Sequence, residues 1–475
     1  MPMHKGFLPR EGFKGDTVLK IIRSTALNPK LILPLLLLAK YTKKGENWAI
    51  LHPKAYSRLK TLLVFGLLRW INNYFSRGVL NNWVSDEYDW TKEIVLITGG
   101  AGGIGGQVVQ LLAEKGIKVV VLDIQPLTYT AGPTVHYFKC DITSRKALPR
   151  TAEQIRLAVG HPTILINNAG VVQGRTILDA TEHDIRFTFD VNTLAHYWTA
   201  QEFLPHLVRL NHGMVVTVAS VAAWVAVPNM VDYAASKAAA QAFHDGLTAE
   251  LGTRYGAPRV RTVVVNQGYT TTPLFEGYHN DSPFLMPALH PETVAEAIVA
   301  QVLSGESGQV ILPEFASYAL PALAGMPHWY QNRLRKKNQR IMRDFRGRKV
   351  VQDVEGFYAE REKEDGTGEE RGAGEVGSTV LVGNVLGVMM MMVIELVQGG
   401  CILNLIKRAE DGNGQTVDPT LLSPESFRIR VVPIDFNYIK VLYGPWHPTA
   451  PAQYPSLVTT GRREDEIYKK VIRNQ

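Results

Sequence analysis

Tyr233-Ala-Ala-Ser-Lys237 sets a phenol and an ammonium one helical turn apart. Positions i and i+4 lie on one face of a helix, so the two groups can converge on a common site. A tyrosine with its ordinary pKa of about 10 is a poor base at neutral pH. A neighbouring lysine cation favours the phenolate and makes the tyrosine a usable general acid/base for an alcohol–ketone exchange. Tyr-x-x-x-Lys alone is common by chance, but two further residues accompany it. Ser220 follows the β-rich run Met214–Val218, thirteen residues before Tyr233, and can hydrogen-bond the same substrate oxygen. Asn192 opens the preceding long helical stretch.

A second constellation lies upstream. Thr98-Gly99-Gly100-Ala101-Gly102-Gly103-Ile104-Gly105 directly follows the β-rich run Ile94–Ile97. A glycine-rich turn between strand and helix lets the backbone approach a pyrophosphate, whose charge the free N–H groups of the helix N-terminus then stabilise. Asp123 ends the run Val119–Leu122, 20 residues after Gly103. A carboxylate there would accept hydrogen bonds from an adenosine ribose and repel a 2′-phosphate. No Lys or Arg stands within the glycine loop to offset that repulsion, so the expected cofactor is NAD rather than NADP.

Together with Asn167-Asn168-Ala169-Gly170, these residues resemble the short-chain dehydrogenase/reductase family in order and spacing, over about residues 91–315. The resemblance implies that Ser220, Tyr233 and Lys237 are catalytic and that Asn192 completes a tetrad. Tyr233 would exchange the proton with the substrate oxygen, and Ser220 would orient that oxygen. Lys237 would lower the tyrosine pKa and hold the nicotinamide ribose, while Asn192 would position a water in the proton relay. The resemblance also assigns Gly99, Gly103, Ile104, Gly105, Asp123, Asn168, Ala169 and Gly170 to the cofactor, with Tyr233 and Lys237 reaching it from the catalytic helix. Asp141 stands where the family contacts the adenine, and Thr272 resembles the threonine that binds the nicotinamide carboxamide. The family usually carries Pro-Gly after its sixth strand. Here Gln267-Gly268 follows Asn266, which relaxes the loop leading to Thr272.

Other chemistries fail on spacing. Ser220 lacks the flanking glycines of a nucleophile elbow, against a hydrolase. His183, His196, His206 and His212 have no metal-ligand spacing with Glu or Cys partners. Two cysteines, Cys140 and Cys401, supply neither a disulfide framework nor a four-cysteine zinc site.

The elements that must position these residues are legible as alternation. Runs at Ile94–Thr98, Val119–Leu122, Val135–Phe138, Ile164–Ile166, Met214–Val218, Val260–Val265 and Val310–Leu312 alternate with helix-like stretches. The longer stretches are Ile104–Glu114, Val191–Leu210, Tyr233–Arg254 and Pro291–Leu303. Continuous Val/Ile/Leu runs are strands buried on both faces. The expected fold is therefore α/β: a Rossmann-type, doubly wound, seven-stranded parallel sheet in a domain over 91–330. The family resemblance implies a homodimer formed through the two long helices.

The flanks are different. Residues 1–90 carry a net charge of +8 and two short apolar runs, Leu31–Ala39 and Leu62–Leu68. Both are too short to cross a bilayer as a helix. Flanked by Lys, Arg and Trp, they suit a segment lying in a membrane interface. Residues 331–350 also net +8, with Leu334, Ile341, Met342 and Phe345 at helical spacing, and read as a basic amphipathic helix. Residues 351–378 read as an acidic, glycine-rich linker, and 379–475 as a poorly defined tail with no motif. The two basic flanks leave −9 for the rest of a chain whose total is +7. The basic balance thus points to a membrane surface rather than to nucleic acid.

The N-terminal extension narrows the resemblance to the membrane-associated retinol and hydroxysteroid dehydrogenases of endoplasmic reticulum and lipid droplets. That branch implies a lipophilic substrate and a catalytic domain facing the cytosol. Leu274, Phe275, Tyr278, Phe284, Leu285 and Met286 would give an apolar loop at the pocket mouth. Two alternatives stay open: a lipid-surface scaffold that keeps the fold without relevant turnover, and a cytosolic dehydrogenase.

Overall fold

A computed structural model describes residues 3, 4, 6, 8–280 and 282–345. The expected linker at 351–378, the tail at 379–475 and residues 346–350 of the basic segment lie outside the described residues.

Seven strands form one parallel sheet: β1 (Ile94–Thr98), β2 (Lys118–Asp123), β3 (Val135–Lys139), β4 (Ile164–Asn167), β5 (Met214–Val218), β6 (Arg261–Gln267) and β7 (Gly308–Leu312). Their order is β3-β2-β1-β4-β5-β6-β7. This is the expected doubly wound α/β sheet, with each strand within two residues of its sequence-based position at either end. The order reverses between β1 and β4, and a crevice opens beyond the carboxyl ends of the strands at such a reversal.

Alternate strand residues explain both layers of helices. Val95, Ile97, Val119, Val121, Val216 and Val263 face one side. There they meet Val108 and Leu112 of α5 (Gly103–Ala113) and Val294 and Ile298 of α10 (Pro291–Leu303). Leu96, Val120, Leu122, Leu165 and Val215 face the other side. Their partners are Leu148 of α6 (Ala147–Ala158), Phe203 of α8 (Ala195–Leu210) and Phe243 of α9 (Val231–Thr253). Strand side chains point to opposite faces in turn, so a sheet buried on both faces needs apolar residues at every position. Helix α7 (Glu182–Phe189) precedes α8, and the two are joined through a π-helical turn at Asp190–Leu194.

Four helices precede the sheet: α1 (Gly15–Ser24), α2 (Pro29–Tyr41), α3 (Lys43–Leu51) and α4 (Pro53–Leu80). Helix α2 buries Ile32, Leu36 and Ala39, while Leu31, Leu33, Leu35, Leu37 and Leu38 stay 45–58% exposed. Helix α4 buries only Gly66 of its 28 residues. It leaves Trp70, Tyr74, Phe75 and Val79 open to solvent. No described helix alone is long and apolar enough to cross a membrane, whereas α1 and α2 together meet that length and composition across a 43° bend.

The extension is nevertheless fastened to the sheet domain. Arg261, only 2% exposed, donates to the carbonyls of Asn81 and Val84 at 3.0 and 2.6 Å. Both carboxylate oxygens of Asp16 accept from the Glu314 and Phe315 amides at 2.9 and 2.8 Å. The Gly15 amide donates to the Phe284 carbonyl at 2.9 Å, and Phe13 packs against Phe284.

The basic segment departs from expectation. Helix α11 covers His328–Lys337, and a 3-10 turn at Asn338–Arg340 closes it. Ile341, Met342 and Phe345 therefore do not continue one amphipathic face. They join an apolar cluster around Tyr233, and this burial overrides the local helical period.

Candidate active site

The glycine loop turns from β1 into α5 with Gly99 at φ +67° and Gly103 at φ +56°, a region that L side chains rarely adopt. A methyl group on Gly105 would lie 2.2 Å from the Gly99 carbonyl oxygen. The loop is thus a cradle that side chains would fill. Gly102, the residue before α5, provides no side-chain cap, which leaves the first helical N–H groups for a ligand. Ile104 sits in the first turn of the same helix.

Asp123 does more than the sequence suggested. One carboxylate oxygen accepts from the Ala101 amide at 2.9 Å and the other from the Gln125 amide at 3.1 Å. It pins the glycine loop to the end of β2 and leaves a negative charge beside it. Asn168 closes the other side by donating to the Thr98 and Gly99 carbonyls, both at 3.0 Å. The Asn168 and Ala169 amides both donate to the Thr98 hydroxyl at 3.1 Å. Asp141 lies just beyond β3, exposed, and accepts from the amide and hydroxyl of Thr143.

The four expected tetrad members come together at the carboxyl ends of β4 and β5. Gly170 is the hub: a methyl group there would stand 3.5 Å from both Asn192 Oδ1 and Lys237 Nζ. Asn192 lies in the π-helical turn, not at a regular helix start. That turn aims its amide at the loop after β4, where it donates to the Val171 carbonyl at 2.9 Å and accepts from the Val171 amide at 2.8 Å. It also donates to Ser236 Oγ at 3.0 Å. Such bulges recur at functional sites. Lys237 Nζ donates to the Val218 carbonyl at 2.8 Å and lies 5.9 Å from the centre of the Tyr233 ring. Ser220 Oγ accepts from the Ala222 amide at 3.1 Å and donates to the Gln267 carbonyl at 3.3 Å, close enough to Tyr233 to influence its phenol.

Burial sets the electrostatics. It pushes the Tyr233 phenol up to about 12, and the neighbouring Ser220 hydroxyl pulls it part of the way back. It pulls the Lys237 ammonium down to about 8. Desolvation disfavours each charged form: at neutral pH the phenol stays protonated, while an ammonium near 8 remains mostly charged. His196, in α8 beside this cluster, is driven down to about 3 by burial and then by Lys237, and neither of its ring nitrogens has a partner. It is a neutral core residue. Among the described residues no cluster of His, Cys, Asp or Glu is fit to hold a metal.

The loop after β6 is fixed despite its missing proline. Thr270 bridges to Leu289, and Thr271 donates to the Leu289 carbonyl at 2.9 Å. Thr272 is buried, and its methyl lies 4.0 Å from where a Gly103 side chain would begin. Thr272 therefore reaches over the glycine loop.

Beyond Thr272 the expected apolar loop divides. Leu274, Phe275 and Tyr278 join the cluster of Tyr233, with Phe275 edge-on to the Tyr233 ring at 5.7 Å. Phe284 and Leu285 turn away to α1 instead. Sequence reasoning missed Val172, Val227, Met230 and Met342, which complete that cluster. Proximity to Asn168–Gly170 would have pointed to Val172. Nothing local pointed to Met342, more than a hundred residues from Tyr233.

Residues 93–282 match the family model described as short chain dehydrogenase. The chain is similar to dehydrogenase RED2 of Cochliobolus heterostrophus, 43% identical over 43% of this chain and 81% of that protein. It is 32% identical to human epidermal retinol dehydrogenase 2, over 57% of this chain and 87% of the relative. It is 34% identical to human estradiol 17-beta-dehydrogenase 11, over 52% and 83% respectively.

Proposed function

The chain belongs to the short-chain dehydrogenase/reductase family, an NAD(P)-dependent oxidoreductase acting on CH–OH groups, and from that premise we propose that it interconverts a lipophilic alcohol with its ketone or aldehyde. The observation that carries this reading is the meeting of Tyr233, Ser220, Lys237 and Asn192 beside the glycine cradle. The cradle, the uncapped start of α5 and Thr272 above it suit a dinucleotide. Bound nicotinamide would supply the hydride acceptor or donor. Asp123 supports NAD over NADP, because its carboxylate already stands against the glycine loop and would repel a 2′-phosphate.

In the oxidation direction Tyr233 takes the proton of the substrate hydroxyl. Ser220 hydrogen-bonds the same oxygen and holds it toward the phenol. Lys237 supplies the fixed positive charge that favours the phenolate, and a cationic ring nearby adds to it. Asn192 holds the loop after β4 in place and bonds to Ser236 of α9, the helix that carries Tyr233. Asp141 is proposed as an adenine contact, and Ile104, Ala169 and Gly170 as the walls of the cofactor site.

Two observations support a lipophilic substrate: the aromatic wall at Tyr233 and the names of the retinol and estradiol relatives. The exposed leucines of α2 and the aromatic residues of α4 support attachment to a membrane or lipid-droplet surface, with the sheet domain on the cytosolic side. A homodimer through α8 and α9 is part of the same proposal.

The test is a substrate panel of retinol, a hydroxysteroid and a long-chain alcohol, each with NAD and NADP. Turnover of at least one with NAD, faster than with NADP, is expected. Failure to bind either dinucleotide would favour the scaffold reading. Attachment is best tested by Leu35→Glu with Leu38→Glu, because truncation would strip Arg261 of its carbonyl partners. Unchanged co-sedimentation of that variant with liposomes would rule out α2 as the attachment surface.

A further inference from the structure

The segment after α11 closes over the active site. Met342 is 1% exposed and shares one apolar cluster with Tyr233, Phe275 and Val172. The Ile341 carbonyl accepts from the His279 amide at 2.9 Å, which ties the segment to the loop after β6. Two glycines fit around it: a methyl group on Gly277 would fall 2.2 Å from the Asp344 carbonyl oxygen, and one on Gly174 would clash with the Phe345 ring.

Tyr233 itself is only 3% exposed. With so little of the ring open, the body of an alcohol held at its hydroxyl would press against these apolar neighbours. Val172, Val227 and Met230 come from the loops that frame the tetrad, and Phe275 follows Thr272. Met342 sits on a turn that no strand pairing or regular helix holds. An unbranched methionine also adapts its shape to what lies beside it.

We propose that Met342 is a specificity-determining residue of the substrate site, filling the space that the apolar body of the substrate takes, with Phe345 behind it. The inference rests on the dehydrogenase reading above. It extends the substrate site to a segment that the family match, which ends at residue 282, does not reach.

The experiment compares wild type, Met342→Ala and Met342→Trp in the full chain, using NAD with a bulky alcohol (retinol or a hydroxysteroid) and a compact one (cyclohexanol). The readout is the ratio of kcat/KM for the bulky substrate to that for the compact one. A methylene in an apolar pocket changes discrimination by about 10-fold or more. Met342→Ala should move the ratio toward the bulky substrate by at least that factor, and Met342→Trp should move it the other way. NAD affinity should not change in either variant, since Met342 lies outside the cradle. Met342→Leu, of similar volume, should keep the wild-type ratio and separates loss of fold from loss of fit. An unmoved ratio in both size variants, with wild type active, would overturn the inference alone. An inactive wild type would overturn the dehydrogenase reading and this one with it.

Discussion

The two halves of the site are built on different principles. The cofactor half is made of strand ends and the turns that leave them. Two of its side chains bond straight to the glycine loop or the turns beside it: Asp123 to Ala101 and Gln125, Asn168 to Thr98 and Gly99. The half proposed for the substrate is an apolar wall assembled from the loops after β4, β5 and β6 and from the turn after α11. Hydrogen bonds between neighbours fix geometry, whereas dispersion contacts among loops fix volume and tolerate exchange. One half is therefore suited to a single invariant ligand and the other to a variable one.

Substitutions on the two sides should accordingly fail in different ways. The largest binding effect is expected for Gly105→Ala, whose methyl would meet backbone at 2.2 Å. Overpacking of this kind costs about 1–3 kcal/mol. NAD affinity should fall by about 10- to 100-fold, as read by titration of intrinsic fluorescence. Phe275→Ala should raise KM for a lipophilic alcohol by about 10-fold and leave NAD affinity alone, since the ring faces Tyr233 rather than the cradle. Loss of NAD binding in that variant would dissolve the distinction between the halves.

The smallest effect concerns the packing behind the relay. His196 is neutral in the fold, with its pKa lowered to about 3, while the unfolded chain takes a proton near pH 6.5. Its contribution to stability is complete above about pH 6.5 and is lost as pH falls toward about 3. The slope reaches about 1.4 kcal/mol per pH unit. Denaturant melts between pH 7 and 5 should show a shallower decline for His196→Phe than for wild type. Equal slopes would mean that the ring is solvated.

The same contrast explains what the sequence made legible. The seven strands, the glycine loop and Tyr233–Lys237 are local patterns with a fixed period or spacing. Each emerged near its expected position. Asn192 is expected at the start of a long helix but lies in a π-helical turn, which leaves no mark on hydrophobic periodicity. Thr272 held its place without the usual proline because Thr270 and Thr271 bond to Leu289, a partner some twenty residues away in a different run. The helical spacing of the apolar residues at 341–345 predicts a helix face. Those residues are instead spent on a cluster whose other members lie far back in the chain. Charge behaved similarly: the basic balance located the flanks but not how Arg261 and Asp16 would clamp the first of them to the sheet.

The most direct test of the account is the pair of measurements on Tyr233→Phe: NAD affinity and kcat/KM on the best alcohol of the panel. The phenol hydroxyl is the one atom assigned to move the proton, and it lies outside the glycine cradle. Affinity should be unchanged while kcat/KM falls by about 10²–10⁴-fold, the usual worth of a positioned acid/base group. Retention of wild-type turnover by the phenylalanine variant would contradict the account.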